Sequence, residues 1–527
     1  MGPIRGPGTL MEKLTMFKKK ALGVALTAAA ITGSASAADW LQFGYDQHHS
    51  GFNAAETLIS SANVAAIAQV YSVSLPHSSD SSPVLLSGVS TPSGTKDLLF
   101  LVSKGGYLFA IDAANGSVLW SKQPTSTGGN LTTGAPAIDP NLQFVYAYGL
   151  DGYVHKYAVG DGTETTNGGW PQLSTSKPNV EKGAAGIAIA SPPGGTNYLY
   201  SVTDGYIGDG GDYQGHVTTV NLSTGAQTVF NTLCSDQSVH FIGSGTNCSS
   251  RQSGIWGRPG AVYDAGTNRI YFATGNGQYN ASTGGHNWAD SVLSLLPTGV
   301  AGAGGMPVDS WTPTNFQHLQ DADIDLGSVA PAIVPAPAGS AVAHLGLQAG
   351  KDGQLRLINL DNMSGQGGPG HVGGELQQLA VPQGGSGYGG DLMREQPAVW
   401  VNPADHSTWV FVGNGSGISG LQVVLDGSNM PTLTARWTKT NSSGSTSPIV
   451  ANGVLFNAGD CTGGSTCVSA RNPLTGDVLW SSPHIGALHW QSPILVNGAI
   501  YVVDNSSKLW KFAAPLGDTI FTDGFDG

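Results

Sequence analysis

The chain has 527 residues, 40% apolar and only 11% charged, with 77 glycines and 12 tryptophans. Its apolar and aromatic content excludes wholesale disorder, and so much glycine between short aromatic and β-branched runs excludes a mainly helical protein. The formal charge of −13 excludes an extended phosphate-binding surface, which needs clustered Lys and Arg, so nucleic acid is not expected as a partner.

The first segment reads as a secretory leader. Lys13, Lys18, Lys19 and Lys20 form a basic start, Ala21 to Ile31 is apolar but too short to span a bilayer, and Ala35-Ser36-Ala37 supplies a small-residue cleavage site. Residues 1–37 carry five of the 22 basic and one of the 35 acidic residues, so the mature chain has 17 against 34, a formal charge of −17. No later segment is long and apolar enough to cross a membrane. A periplasmic or extracellular protein is expected, and a monomer.

The stretch Ala68 to Leu75 is a strand without a unit of its own. After it, eight units begin alike, with Pro or Gly, a small neighbour and an apolar strand: Ser82-Pro83-Val84, Ala135-Pro136-Ala137, Gly186-Ile187-Ala188, Gly260-Ala261-Val262, Ala330-Pro331-Ala332, Gln396-Pro397-Ala398, Ser447-Pro448-Ile449 and Ser492-Pro493-Ile494. Pro is tolerated at a strand's first residue, where its missing N–H need not break a ladder. A second apolar strand follows in each unit, for example Leu98 to Val102, Tyr198 to Val202 and Ile500 to Val503. A third element is nearly repeated: Ala110-Ile111-Asp112-Ala113-Ala114-Asn115-Gly116-Ser117-Val118-Leu119-Trp120 aligns without gaps on Ala470 to Trp480, and in part on Thr219 to Gly225. It reads as strand, turn, strand, with the Gly where the turn needs positive φ.

Units of about four short strands are the size of a propeller blade. The last unit has only three, Pro493 to Leu495, Ile500 to Val503 and Leu509 to Ala513. The predicted fold is therefore an all-β, eight-bladed propeller spanning residues 38–515, with Ala68 to Leu75 completing the last sheet and closing the ring. Residues 516–527 form an acidic tail with Phe521 and Phe525, read as a short recognition peptide. The four cysteines predict two disulfides, Cys234–Cys248 and Cys461–Cys467, one of three possible pairings.

These repeats, and the opening Trp40-Leu41-Gln42-Phe43-Gly44 with His48, His49 and Gly51, resemble the PQQ-repeat propellers. That family includes quinoprotein alcohol dehydrogenases, which hold PQQ and calcium at the channel mouth, and non-catalytic members such as an outer-membrane assembly lipoprotein. The resemblance implies several roles. Ala273-Thr274-Gly275-Asn276-Gly277 is similar to the segment whose Asn binds calcium, so Asn276 would be a metal ligand. Gly350-Lys351-Asp352-Gly353 resembles the segment whose basic residue contacts the quinone carbonyls, so Lys351 would take that role. Asp321-Ala322-Asp323-Ile324-Asp325 falls where the family places its catalytic aspartate, so Asp323 or Asp325 would be the base.

From the residues themselves, an extended run would put Asp321, Asp323 and Asp325 on one face, where their repulsion calls for a cation or a raised pKa. Asp321 is therefore a candidate metal ligand. So is Asp212 (with Asp209), because the family's glutamate ligand has no clear counterpart. The residues just before each inner strand should ring one channel mouth: Ser82, Thr132, Ala184, Trp256 and Arg258, Asp325, Arg394 and Glu395, Ser447, His489 and Trp490. Trp256, Arg258, Arg394 and Trp490 suit an anionic or carbonyl-rich small molecule. Against dehydrogenase activity, there is no adjacent Cys pair and no CxxCH for a covalent haem. A hydrolase has no support, since GxSxG and HExxH are both missing. The function expected is binding or scaffolding, with a small molecule, protein or polymer on a propeller face. The alternative is a PQQ- and calcium-dependent dehydrogenase of an alcohol or sugar.

Overall fold

A computed structural model describes residues 1–2, 39–123, 128–242, 248–384, 393–440, 446–461 and 465–515. The leader from residue 3 and the tail from residue 516 lie outside the described residues. The chain divides into Met1–Ala37 and Ala38–Gly527, and the second unit is the eight-bladed propeller expected. None of the described helices is long and apolar enough to cross a membrane.

Blade 1 is the pattern for the rest. Its strands Val84–Thr91, Gly94–Val102, Leu108–Asp112 and Val118–Lys122 pair in sequence order, each antiparallel to the next. The inner strands of blades 2 to 8 begin at Ala137, Ala188, Val262, Ala332, Ala398, Ile449 and Ile494. Blade 8 draws three strands from the C-terminal end and its outermost, Ala68–Ser74, from the N-terminal end. Val73 faces Leu509 and Ala68 faces Ala513.

The repeated turn has one geometry in its three copies. Gly116, Gly225 and Gly476 all have φ between 72° and 78°. Each donates its N–H at 2.8 Å to the carbonyl of the residue four earlier, Asp112, Asn221 or Asn472. The side chains of those three residues also accept the N–H two residues on, at 2.8–2.9 Å. Aromatic residues on outer strands then cover turns of the next blade. Trp437 of blade 6 lies against Gly476 of blade 7 and donates to the Pro473 carbonyl at 2.8 Å. Tyr71 of the closing strand lies against Gly116 of blade 1 in the same way. A side chain at Gly476 would collide with the Trp437 ring and one at Gly116 with Val73 beside Tyr71, which is a second reason for glycine there.

Residues 40–53 form no blade. They pass round the channel and bond to the second residue of seven inner strands. Trp40 exchanges N–H and C=O with Leu85 at 2.8–2.9 Å, and the carbonyls of Leu41, Gln47, Ser50 and Gly51 accept from Ile138, Tyr263, Val399 and Val450. The Gln42 side chain pairs with Ile189, and Asn53 Nδ2 donates to the Leu495 carbonyl. This belt occupies the channel and supplies partners for inner-strand groups that would otherwise face it unpaired.

One disulfide is corrected. Cys234–Cys248 is bridged, but Cys461 and Cys467 are free thiols. Cys467 stands opposite Gly459 while Cys461 stands opposite Ser465, so the two occupy diagonal rather than facing positions.

Candidate functional site

The residues preceding the inner strands do converge at one end of the channel. Ser447 N donates to Ser492 Oγ and Ser492 N to Ser82 Oγ, which links blades 7, 8 and 1. Arg258 reaches across from blade 4. It pairs with Glu395 of blade 6 at 2.9 Å, donates to the Trp490 carbonyl of blade 8 on the opposite side of the ring, and stacks 4.4 Å from the Trp490 ring. Ser447 Oγ also donates to Glu395. Arg258 and Glu395 are buried, whereas Arg394 beside them is exposed. Arg258 and Trp490 thus close the channel rather than line an open mouth.

The second grouping lies beside the channel, between blades 3, 4 and 5. Asn276 follows the strand Arg269–Ala273. Its backbone N–H donates to Asp325 Oδ1 and its Nδ2 to Asp323 Oδ1, both at 2.9 Å. Lys351, in the turn after His344–Ala349, is paired with the other Asp325 oxygen. Trp256 stands alongside. A Cβ on Gly275 would come 2.9 Å from its Nε1 and closer still to Asp325 Oδ1. A Cβ on Gly254 would lie 3.0 Å from the same Nε1 and 3.0 Å from the Asp204 Cβ. Two glycines therefore let the backbone pack closely against the buried indole nitrogen.

Lys182 and Asp204 face each other on a two-stranded ribbon, Glu181–Lys182 against Asp204–Gly205. Lys182 Nζ is 2.7 Å from Asp204 Oδ1 and 5.0 Å from the Trp256 ring centroid. Tyr213 meets the indole edge-on at 5.9 Å. Among the described residues, three buried atoms in this grouping have no hydrogen-bond partner: Trp256 Nε1, Asn276 Oδ1 and Asp204 Oδ2.

Burial dominates the acid chemistry. It pushes the Asp204 carboxyl up to about 7, with Lys182 opposing. Asp325 is raised by burial against the pull of Lys351 and the Asn276 N–H. Asp290 accepts the Leu326 N–H at 3.1 Å and is raised well above the usual range, first by burial and then by Asp325.

Asp323, Asp325, Asn276, Lys351 and Trp256 therefore share one place, and Arg258, Arg394 and Trp490 another. Two candidates lie apart. Asp321 is on the helix Phe316–Ala322, which ends at Asp323 with φ 55°. It is exposed and accepts from Gln317 one turn back, so the run is not extended and its carboxylates do not share a face. Asp212 lies against Lys177, which donates to its carbonyl at 2.6 Å, and Asp209 accepts the Tyr213 hydroxyl. Sequence reasoning missed Lys182, Asp204 and Asp290. Asp204 could have been found as the acidic residue just after the strand Tyr198–Val202.

Calcium, which the resemblance implied, does not fit this donor set. Asp325 and Asp204 are each seated on an ammonium, and Glu181 is tied to Lys177 at 3.1 Å and His216 at 3.3 Å. Among the described residues no three His, Cys, Asp or Glu side chains come together to hold a metal ion. Calcium calls for six to eight oxygens.

The family model described as outer membrane protein assembly factor BamB matches residues 56–323, half of the sequence. The chain belongs to the PQQ-repeat propeller family. Its fold is similar to that of a quinohemoprotein alcohol dehydrogenase from Comamonas testosteroni, at 16% identity and a TM-score of 0.60 over 90% of this chain and 80% of that one. It is similar as well to the quinohemoprotein alcohol dehydrogenase ADHIIG from Pseudomonas putida HK5, at 13% identity and 0.58 over the same shares. A europium-containing methanol dehydrogenase gives 12% identity and 0.60 over 90% of this chain and 98% of that one. At these identities the likeness is one of fold. No curated protein matches the sequence significantly.

Proposed function

We propose that this PQQ-repeat propeller is an exported binding protein that takes a flat molecule bearing carbonyl and carboxyl groups beside Trp256. The observation that carries this reading is a set of three buried atoms without a partner among the described residues, Trp256 Nε1, Asn276 Oδ1 and Asp204 Oδ2, gathered between two lysine–aspartate pairs. An unmet buried polar group costs about 1–3 kcal/mol, and several in one place mark where an absent partner binds. A ligand carbonyl would accept from the indole N–H. A ligand hydroxyl or amide would donate to Asn276, and Lys182 and Lys351 would favour a carboxylate. The family's assembly-factor description supports binding over catalysis.

A second reading, an alcohol or sugar dehydrogenase, is favoured by Asp325. Its carboxyl is oriented by the Asn276 N–H and Lys351, and burial raises its proton affinity. It is therefore placed to take a hydroxyl proton. PQQ, when bound, would accept the hydride.

Purified protein mixed with PQQ, with and without calcium, and passed through gel filtration tests both. Retained quinone absorbance without dye reduction supports binding. Dye reduction on adding ethanol or glucose establishes the second reading. Failure to retain PQQ under either condition rejects both.

A further inference from the structure

We infer that the Lys182 ammonium is the resident cation of this site, so that the site takes its organic ligand without a divalent metal ion. The inference deepens the small-molecule reading and shares its residues. Lys182 sits at the end of the short Glu181–Lys182 ribbon with its side chain only 6% exposed. An ammonium leaves water only where partners replace its hydration. Here the partners are all within the site: Asp204 Oδ1 at 2.7 Å, the Trp256 ring at 5.0 Å and the Tyr206 ring at 5.8 Å.

The placement determines what else can enter. A divalent ion drawn to Asn276 Oδ1 or Asp204 Oδ2 would meet the Lys182 charge on one side and Lys351 on the other. The carboxylates it would need already accept from those two ammoniums. Glu181, adjacent in sequence to Lys182, belongs to a separate buried network with Lys177, His216 and Thr175. The group packed against the backbones of Gly254 and Gly275 is instead an N–H donor, Trp256 Nε1. An N–H repels cations and attracts a carbonyl or carboxylate oxygen.

The test is terbium luminescence sensitised by tryptophan, together with thermal melts in calcium, lanthanum or EDTA, on the mature chain and on Lys182→Met. The mature chain is expected to show no saturable one-per-chain terbium site and the same melting temperature in all three conditions. Lys182→Met removes one charge beside the carboxylates and is expected to bind terbium at least about tenfold more tightly. A tight terbium site in the unsubstituted chain, or a melting temperature lowered by EDTA, overturns the inference. So does a folded Lys182→Met with no gain. If that variant does not fold, the unsubstituted chain alone decides. Retention of PQQ that requires calcium would also overturn the inference while leaving the binding reading intact.

Discussion

Replacing Arg258 with Ala removes the side chain that crosses the channel and leaves Glu395 buried with Ser447 as its donor partner among the described residues. Breaking one side of a buried ion pair costs about 3–5 kcal/mol. At about 2.1 cal/mol/K of unfolding entropy per residue, a chain of roughly 500 residues loses about 1 °C of melting temperature per kcal/mol, so a fall of about 3–5 °C is expected. The effect has a pH signature. Burial raises the Glu395 carboxyl above its usual range and Arg258 is the main influence holding it down. An acid with a raised folded pKa loses stability as pH climbs from the ordinary carboxylate range through the folded value, and losing Arg258 raises that value further. The penalty should therefore be larger at about pH 7.5 than at about pH 5. Adding Glu395→Gln to Arg258→Met should recover most of the loss. Thermal melts at both pH values, with the exposed Arg394→Ala as control, measure this. An Arg258→Ala protein as stable as the control, or a penalty independent of pH, refutes the channel-closing role.

Asp204 carries a folded pKa of about 7, so the protein should lose stability as pH rises from about 4 to 7, with a slope approaching about 1.4 kcal/mol per pH unit at most. Asp204→Asn should flatten that slope, and an unchanged profile would show that the carboxyl does not titrate there. A chain starting after Leu75 lacks both the belt and the closing strand. It should be insoluble or melt far lower, whereas full stability would contradict closure through Ala68–Ser74. Unfolding without reductant should expose two thiols to alkylation, Cys461 and Cys467; none would mean that the pair is bridged.

The ring was legible because blades repeat. The turn from Asp or Asn to Gly and the strand-opening Pro or Gly recur with a physical reason at each copy, and the three-strand final unit calls for an outside strand. The belt was not legible in the same way, since residues 40–53 have no repeat period and their bonds run to seven different blades. Asn276, Asp325 and Lys351 could be picked out because each sits beside a blade strand in a segment resembling known ones. Asp321 misled because alternation assumes extended chain, and Phe316–Ala322 is helical. Lys182 and Asp204 are 22 residues apart, and nothing in either local sequence announces the partner. Their importance comes from burial against Trp256, which only the folded chain reveals.

In the proposed site, groups from separate blades serve one ligand beside Trp256. Calorimetric titration with PQQ of the chain from residue 38, of Asn276→Ala on blade 4 and of Lys351→Ala on blade 5 tests it. One PQQ per chain is expected, with affinity weakened at least about tenfold by either substitution. No binding to the chain from residue 38, or equal affinity in all three proteins, would contradict it.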